Sequence, residues 1–488
     1  MLLLFLVYFI LAILIVLVVI YFIYMNKINF NFSIDIHSDL KDKDKDVVGK
    51  DRYKEHSSNS SSNSSKTNNS NIDSKQTKEV DENWLFCFDS LKNVSRSFNI
   101  VIKQLDDETM KVVCIFYLVL RGLDTIEDDM SISSEKKKQM LLNFHNEIEN
   151  DDYSIECGDK PEYRNLMKNF YKVNRTYKQL HSKYRDVIKN ITQEMAKGMV
   201  EFLGKTSMDT TEEYDFYCHY VAGLVGIGLS QIFTISGSEF NDLTKYETLS
   251  NSMGLLLQKT NIIRDIKEDY DEKRYWWPKD IVCKHFSSMD DIFANRVETG
   301  EAREAGESGE TTGIFVTTEK HTDLLNEMIM NALRHIPESI EYLSLVNNNS
   351  NFKFCAIPQI VAVQTLATLF HNPNVFKKTE KINKTTLARI FMDTNDMNSI
   401  LQFYIDAVEK IEKKIVDSDS ELSSKYSGGK LHKYVDELDK IKAFIMKYII
   451  EHSKKPVTNI SLTKVKKSLI STFISIFQKN VLYPLSNL

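Results

Sequence analysis

The stretch "YLVLRGLDTIEDDM", residues 117–130, closes a nearly apolar run with four carboxylates: Asp124, Glu127, Asp128 and Asp129. Asp124, Glu127 and Asp128 stand at i, i+3 and i+4, so on a helix they share one face. Asp129 lies about 100° further round than Asp128, off that face. The same D-x-x-E-D spacing returns as Asp265, Glu268 and Asp269 in "LLLQKTNIIRDIKEDYDEKRYWWP", again behind an apolar run. Like charges at this spacing repel unless something positive sits against them. Carboxylate oxygens suit hard divalent cations, and magnesium in particular keeps waters and bridges to phosphate oxygens. A single acid cluster is common on a solvated helix face. Two, each continuing a segment that is apolar nearly all round, do not fit that description. Opposed across a helical bundle, the two faces would form an oxygen-rich cage.

Basic residues accompany the acids. Arg121 precedes Asp124 by one helical turn, Arg264 adjoins Asp265, Lys259 lies close upstream, and Arg96 sits in "VSRSF". Guanidinium forks match phosphate oxygens, although ion pairing with the neighbouring acids is the plainer reading for any one of them. Acids, arginines and apolar walls together fit a long apolar chain ending in a diphosphate, whose departure magnesium would assist. A carbocation formed that way needs walls that cannot capture it, and aromatic faces that stabilise passing charge. Phe98, Tyr117 and Phe354 are candidates, and each could equally be ordinary core. "GLVGIGLS" carries Gly223, Gly226 and Gly228 in the order G-x-x-G-x-G with no strand before it, so it is not a dinucleotide loop. Small residues that let a neighbour approach closely are the better reading.

The elements that must position these groups are helical. Among 488 residues there are only 16 glycines and 7 prolines. Apolar residues recur at three- and four-residue spacing, predicting helices near 84–105, 108–130, 133–149, 161–204, 211–235, 245–270, 320–346, 352–371, 384–392, 395–416 and 430–452. No convincing run of alternating strands is present. A net charge of −6 excludes a nucleic-acid partner. Six scattered cysteines form no CxxC or zinc spacing and read as small hydrophobes in a reducing compartment.

The ends differ in character. Residues 1–25 carry no charge and read as a retained transmembrane anchor; a helix of that length spans about 37 Å. Lysines and Arg52 follow the segment while nothing basic precedes it, which places the remainder on the cytosolic side. Residues 26–80 are Ser/Asn-rich and read as a disordered tether, leaving 81–452 as the catalytic domain. "NRVETGEAREAGESGETTG", residues 295–313, reads as a flexible surface insertion. In the tail, 453–488, the apolar stretch Leu469–Phe477 is too short to span a bilayer. It either lies on a membrane surface or packs as a terminal helix.

Five stretches in order, "VSRSF", "CIFYLVLRGLDTIEDDMSISSEKK", "YCHYVAGLVGIGLS", "NSMGLLLQKTNIIRD" and "FCAIPQ", resemble the squalene synthases (farnesyl-diphosphate farnesyltransferases) over roughly residues 84–415. The resemblance implies an all-α isoprenoid-synthase bundle around a central cavity. It also implies condensation of two farnesyl diphosphates to presqualene diphosphate and reduction by NADPH to squalene, for sterol biosynthesis. By match to the family's motifs, Asp124, Glu127 and Asp128 would bind magnesium for one diphosphate, and Asp265 and Asp269 for the other. Arg96, Ser97, Phe98, Tyr117 and Arg121 match substrate-lining positions, and Gln258 and Asn261 would line the second site. Tyr217 matches the tyrosine assigned to proton transfer, and Arg264 and Arg274 match arginines near the diphosphate and cofactor. Tyr117, Arg121 and Phe354 join Tyr217 as catalytic candidates. The expected cofactor set is Arg96, Arg121, Arg264, Lys381 and Asn383, on a monomer at the endoplasmic reticulum membrane.

Three features depart from the family pattern. The anchor is N-terminal rather than C-terminal, and the insertion has no family counterpart. In "FKKTEKINK", Lys381 matches the lysine of a Lys-x-Arg pair that contacts NADPH, but Asn383 replaces the arginine. Asparagine cannot make a charged bidentate phosphate contact, leaving Lys378 or Lys384 to compensate. That substitution keeps open a related head-to-head synthase of the phytoene or dehydrosqualene type, without the reduction. A catalytically dead scaffold is a third reading, against which every metal carboxylate is intact.

Overall fold

The structure is a computed structural model and describes residues 70–95, 98–205, 207–294, 296–298, 313–422 and 433–452. The expected anchor, most of the tether, the tail, and Arg96 and Ser97 lie outside the described residues. The chain divides into units Met1–Ser70 and Asn71–Leu488, and the architecture below is that of the second.

Helix α1 covers Ser70–Ser95 and so begins inside the segment whose composition reads as tether. It is followed by a short turn of helix, Phe98–Ile102, and by α2, Asp107–Asp128. Next come α3, Ser134–Glu147, and α4, Ser182–Phe202, which pack against each other. Helix α5, Thr211–Cys218, runs through a π turn, His219–Gly223, into α6, Leu224–Ile235. Helices α7, Glu247–Arg264, and α8, Ile266–Asp271, carry the second acid group. Helices α9, Glu319–Leu333, α10, Ile336–Leu345, and α11, Asn349–Leu369, complete the wall around α7. Beyond them lie α12, Lys384–Asp393, α13, Met397–Leu422, and α14, Val435–His452.

Side-chain caps set several helix starts. Thr210 Oγ1 accepts from Glu213 N at 3.2 Å ahead of α5. Asn348 Oδ1 accepts from Ser350 N at 2.8 Å and Asn351 N at 3.1 Å ahead of α11. Each satisfies donors that a helix start leaves unpaired.

Three spans expected to be continuous helices are broken. The span 161–204 divides into Pro161–Lys168, Phe170–Tyr177 and α4. Asn169 leaves helical geometry at φ −110°, ψ 22°, and His181 accepts from Lys183 N to start α4 afresh. The span 320–346 breaks before Pro337, which has no N–H and crowds the carbonyl four residues back. The span 245–270 breaks at Asp265, at φ −99°, ψ 13°. Where an unstructured insertion was expected, its two ends pair: β1, Arg296–Glu298, and β2, Gly313–Phe315, form an antiparallel ladder. They are the only strands among the described residues.

Helix α7 is the centre of the bundle, in contact with the π turn, α6, α9, α10 and α11. Glycine makes this possible. A Cβ at Gly226 would fall on the Ser250 carbonyl, and one at Gly254 on the Ala222 carbonyl. Backbones therefore touch along this seam, as the small residues of "GLVGIGLS" suggested. Thr211–Ile235 and Asn349–Leu369 are long and apolar enough to cross a membrane by length and composition, but both supply cavity wall in the bundle.

Candidate active site

The last turn of α2 delivers the first acid group. Asp124 faces a cavity and pairs with Arg121 Nη1 at 3.5 Å. Burial pushes its carboxyl up to about 6; Arg121 opposes this and Asp128 adds to it. Glu127 is pushed up by burial and then by Asp128 and Asp124. Asp129 is turned elsewhere, accepting from Gly158 N at 2.7 Å, Ser131 N at 2.9 Å and Ser131 Oγ at 2.6 Å. Burial would raise its carboxyl, but these bonds outweigh burial and lower it. It anchors a loop, consistent with its place off the shared face.

The second group sits at the α7–α8 junction. Asp265 receives Arg264 Nε at 2.8 Å and Nη2 at 2.5 Å. Asp269 is 7% exposed. Burial pushes it up to about 7; Arg274 opposes this, and Asp265 and Glu272 add to it. Arg274 joins the two groups: Nη1 lies 3.0 Å from Asp128 Oδ1 and Nη2 lies 3.1 Å from Asp269 Oδ1. One guanidinium, 146 residues from Asp128 in sequence, thus spans acids of both groups.

Beside the first acid group, with Asp124 in its wall, opens a cavity of about 270 Å³, near the low end of ligand pockets at roughly 300–1,000 Å³. Arg121, Asp124, Gln258 and Asn261 line its polar side, and most of the remaining wall is apolar. Phe98, Tyr117 and Phe354 are part of that wall. The Phe98 and Tyr117 rings are 6.1 Å apart, and Phe354 stands edge-on to Phe233 at 6.0 Å. Pro358, also in the wall, cannot donate to the Phe354 carbonyl four residues back.

The squalene/phytoene synthase family model matches residues 91–386. Squalene synthase 2 of Panax ginseng is 41% identical over 342 residues, covering 70% of this chain and 76% of that protein. Squalene synthase 1 of Arabidopsis thaliana is 40% identical over 355 residues, 72% of this chain and 81% of that protein. The chain belongs to the squalene/phytoene synthase family. Within that family these relatives are squalene synthases, and the activity is that of a squalene synthase, a prenyl transferase. A ligand complex of TcSQS superposes with a TM-score of 0.65 at 34% identity, covering 76% of this chain and all of that one. The all-α isoprenoid-synthase fold follows.

A family synthase of this kind calls for a divalent cation, and the acids present fit one. Asp124, Glu127 and Asp269 are half-buried or buried carboxylates held above their ordinary range by burial and then by neighbouring acids, a cost that a cation would relieve. Among the described residues no three His, Cys, Asp or Glu side chains converge closely enough to hold an ion alone. A cation held by these acids would complete its coordination with phosphate oxygens and water, as magnesium does. The buried Nε atoms of Arg121 and Arg274 have no partner, leaving donors for an anion.

Not every expected residue joins the cavity. Tyr217 is 9% exposed and lies behind the wall, its ring stacked 4.5 Å from Trp276. Burial raises its phenol well above the ordinary range, and the charges of Glu127 and Asp128 raise it further. Lys259 is turned away altogether: fully buried, it bonds Asp215 at 2.5 Å and Asn331 at 2.7 Å. Lys381 is exposed. Asn383 caps α12, its Oδ1 accepting from Thr386 N at 2.7 Å. That side-chain oxygen is committed to the backbone.

Three contacts at the site escaped the sequence reading. Lys137 Nζ donates to the Glu127 carbonyl at 2.6 Å. Tyr163 lies under the Arg121 guanidinium at 5.6 Å. Trp276 stacks on Tyr217. Only Trp276 left a local signal, as an aromatic two residues from Arg274 in "RYWWP".

Proposed function

We propose that the chain condenses two farnesyl diphosphates head to head to presqualene diphosphate and reduces this to squalene with NADPH. The observation that carries this reading is Arg274 bridging Asp128 and Asp269, with Asp124 of the first acid group lining an apolar cavity. Asp124, Glu127, Asp128, Asp265 and Asp269 would hold magnesium, which would neutralise the diphosphate leaving groups. Lys381 with Arg96, Arg121, Arg264 and the Asn383 amide would hold NADPH, which would supply hydride.

The chain's own residues do the rest. Arg121, Arg264 and Arg274 exchange carboxylate partners for phosphate oxygens as substrate enters. Gln258 and Asn261 orient the diphosphate from α7. Phe98, Tyr117 and Phe354 wall the isoprenoid chains, exclude water and present ring faces to developing positive charge. Tyr217, held neutral by burial and two acids, keeps its proton for transfer in the first condensation.

The polar end is tested with Arg274→Ala and Arg274→Lys, measuring diphosphate release from farnesyl diphosphate and magnesium without NADPH. The expected loss is tenfold or more in kcat/KM for alanine, with partial recovery for lysine. Unchanged release in both variants overturns the placement of substrate between the acid groups. Asn383, where the resemblance expects arginine, favours one second reading, a dehydrosqualene-type synthase without reduction. An N-terminal anchor in the endoplasmic reticulum membrane and a monomeric state complete the proposal.

A further inference from the structure

The second acid group offers three carboxylates by spacing, but one is engaged elsewhere. Glu268 Oε1 accepts from Thr379 Oγ1 at 2.5 Å. Thr379 belongs to the segment that leads to Lys381. The start of that segment is fixed by apolar packing: Val375 and Phe376 are fully buried, and the Phe376 ring lies 5.1 Å from His321 and 5.9 Å from Trp277. The turn holding them, Pro373–Phe376, packs against α8 itself. The far end is fixed by the Asn383 cap on Thr386 N. Lys381 therefore sits midway between two polar pins, Thr379 on the acid group and Asn383 on α12.

We propose that Thr379, through its bond to Glu268, is a positioning residue that holds the Lys381 segment against the second diphosphate site for the reductive half-reaction. The proposal rests on the assignment of Lys381 to NADPH. Glu268 then acts as a strut between the site that releases diphosphate and the segment that receives the cofactor, while Asp265 and Asp269 face the metal. A carboxylate acceptor strengthens such a bond over a neutral one, and without it Lys381 loses its place.

The test uses the full-length chain in detergent micelles with magnesium. NADPH binding is titrated by fluorescence, and amide exchange is followed over residues 377–384. Thr379→Val keeps the branched shape and removes the donor. It should weaken NADPH binding roughly three- to tenfold and speed exchange in the segment. Presqualene diphosphate formation without NADPH should stay at the wild-type rate. Thr379→Ser should restore both binding and protection, which a merely structural effect of the larger substitution would not. Lys381→Ala is the companion variant. Weakened binding in Lys381→Ala with wild-type binding in Thr379→Val overturns the strut alone. Wild-type binding in Lys381→Ala overturns the cofactor placement, and the strut with it.

Discussion

Asp124 and Asp269 sit where carboxylates resist ionising, pushed up to about 6 and about 7 from an ordinary 3.8. In the metal-free protein the folded state therefore keeps protons that the unfolded chain has already lost between about pH 4 and pH 7. Folded binds more protons than unfolded in that window, so stability falls as pH rises through it. Thermal unfolding without metal should show the melting temperature dropping from pH 5 to pH 8, with Asp269→Asn flattening the drop. A melting temperature as high at pH 8 as at pH 5 would contradict the assignment of these acids. With magnesium and substrate supplied, Asp124→Asn or Asp265→Asn should lower turnover by orders of magnitude with helicity retained, because a bound magnesium would lose an anionic ligand. Near-normal steady-state rates would remove them from the ligand set. At this scale the acids were legible because helical spacing fixes their shared face. The partners were not: Arg274 reaches Asp128 across 146 residues, and Lys259 leaves the site for Asp215, both decided by packing.

The elements hold the site through close backbone contact and a few caps. Gly254→Ala places a methyl on the Ala222 carbonyl, so the α7 seam must open. The expected cost is about 1–3 kcal/mol, read as a lower denaturation midpoint together with weaker substrate binding. An unchanged midpoint would mean the seam yields freely. Asn383→Ala removes the α12 cap and should cost about 1 kcal/mol, seen as faster amide exchange in the first turn of Lys384–Asp393. Asn383→Arg meets the same loss, so any gain in NADPH affinity there comes against a looser helix. Helix existence was legible from periodicity. The breaks at Asn169 and Asp265 and the π turn at His219–Gly223 were not, because each depends on what the backbone meets in three dimensions. Pro337 was the one break with a plain local signal.

Across the molecule, the cavity wall is drawn from residues 98–359, with the acid groups and Arg274 inside that span. Family membership rests on the same region, since the family model matches 91–386. The order of motifs made the fold readable, whereas cavity closure depended on α7 packing against several elements at once. Removing residues 1–25 should move the protein from the membrane pellet to the soluble fraction with turnover retained; a truncated chain that still pellets would overturn the N-terminal anchor. The most direct measurement is product analysis after incubating the chain with farnesyl diphosphate and magnesium, with and without NADPH. The account predicts presqualene diphosphate alone without NADPH, and squalene once NADPH is added. Dehydrosqualene as the product, or presqualene diphosphate persisting in the presence of NADPH, would contradict it.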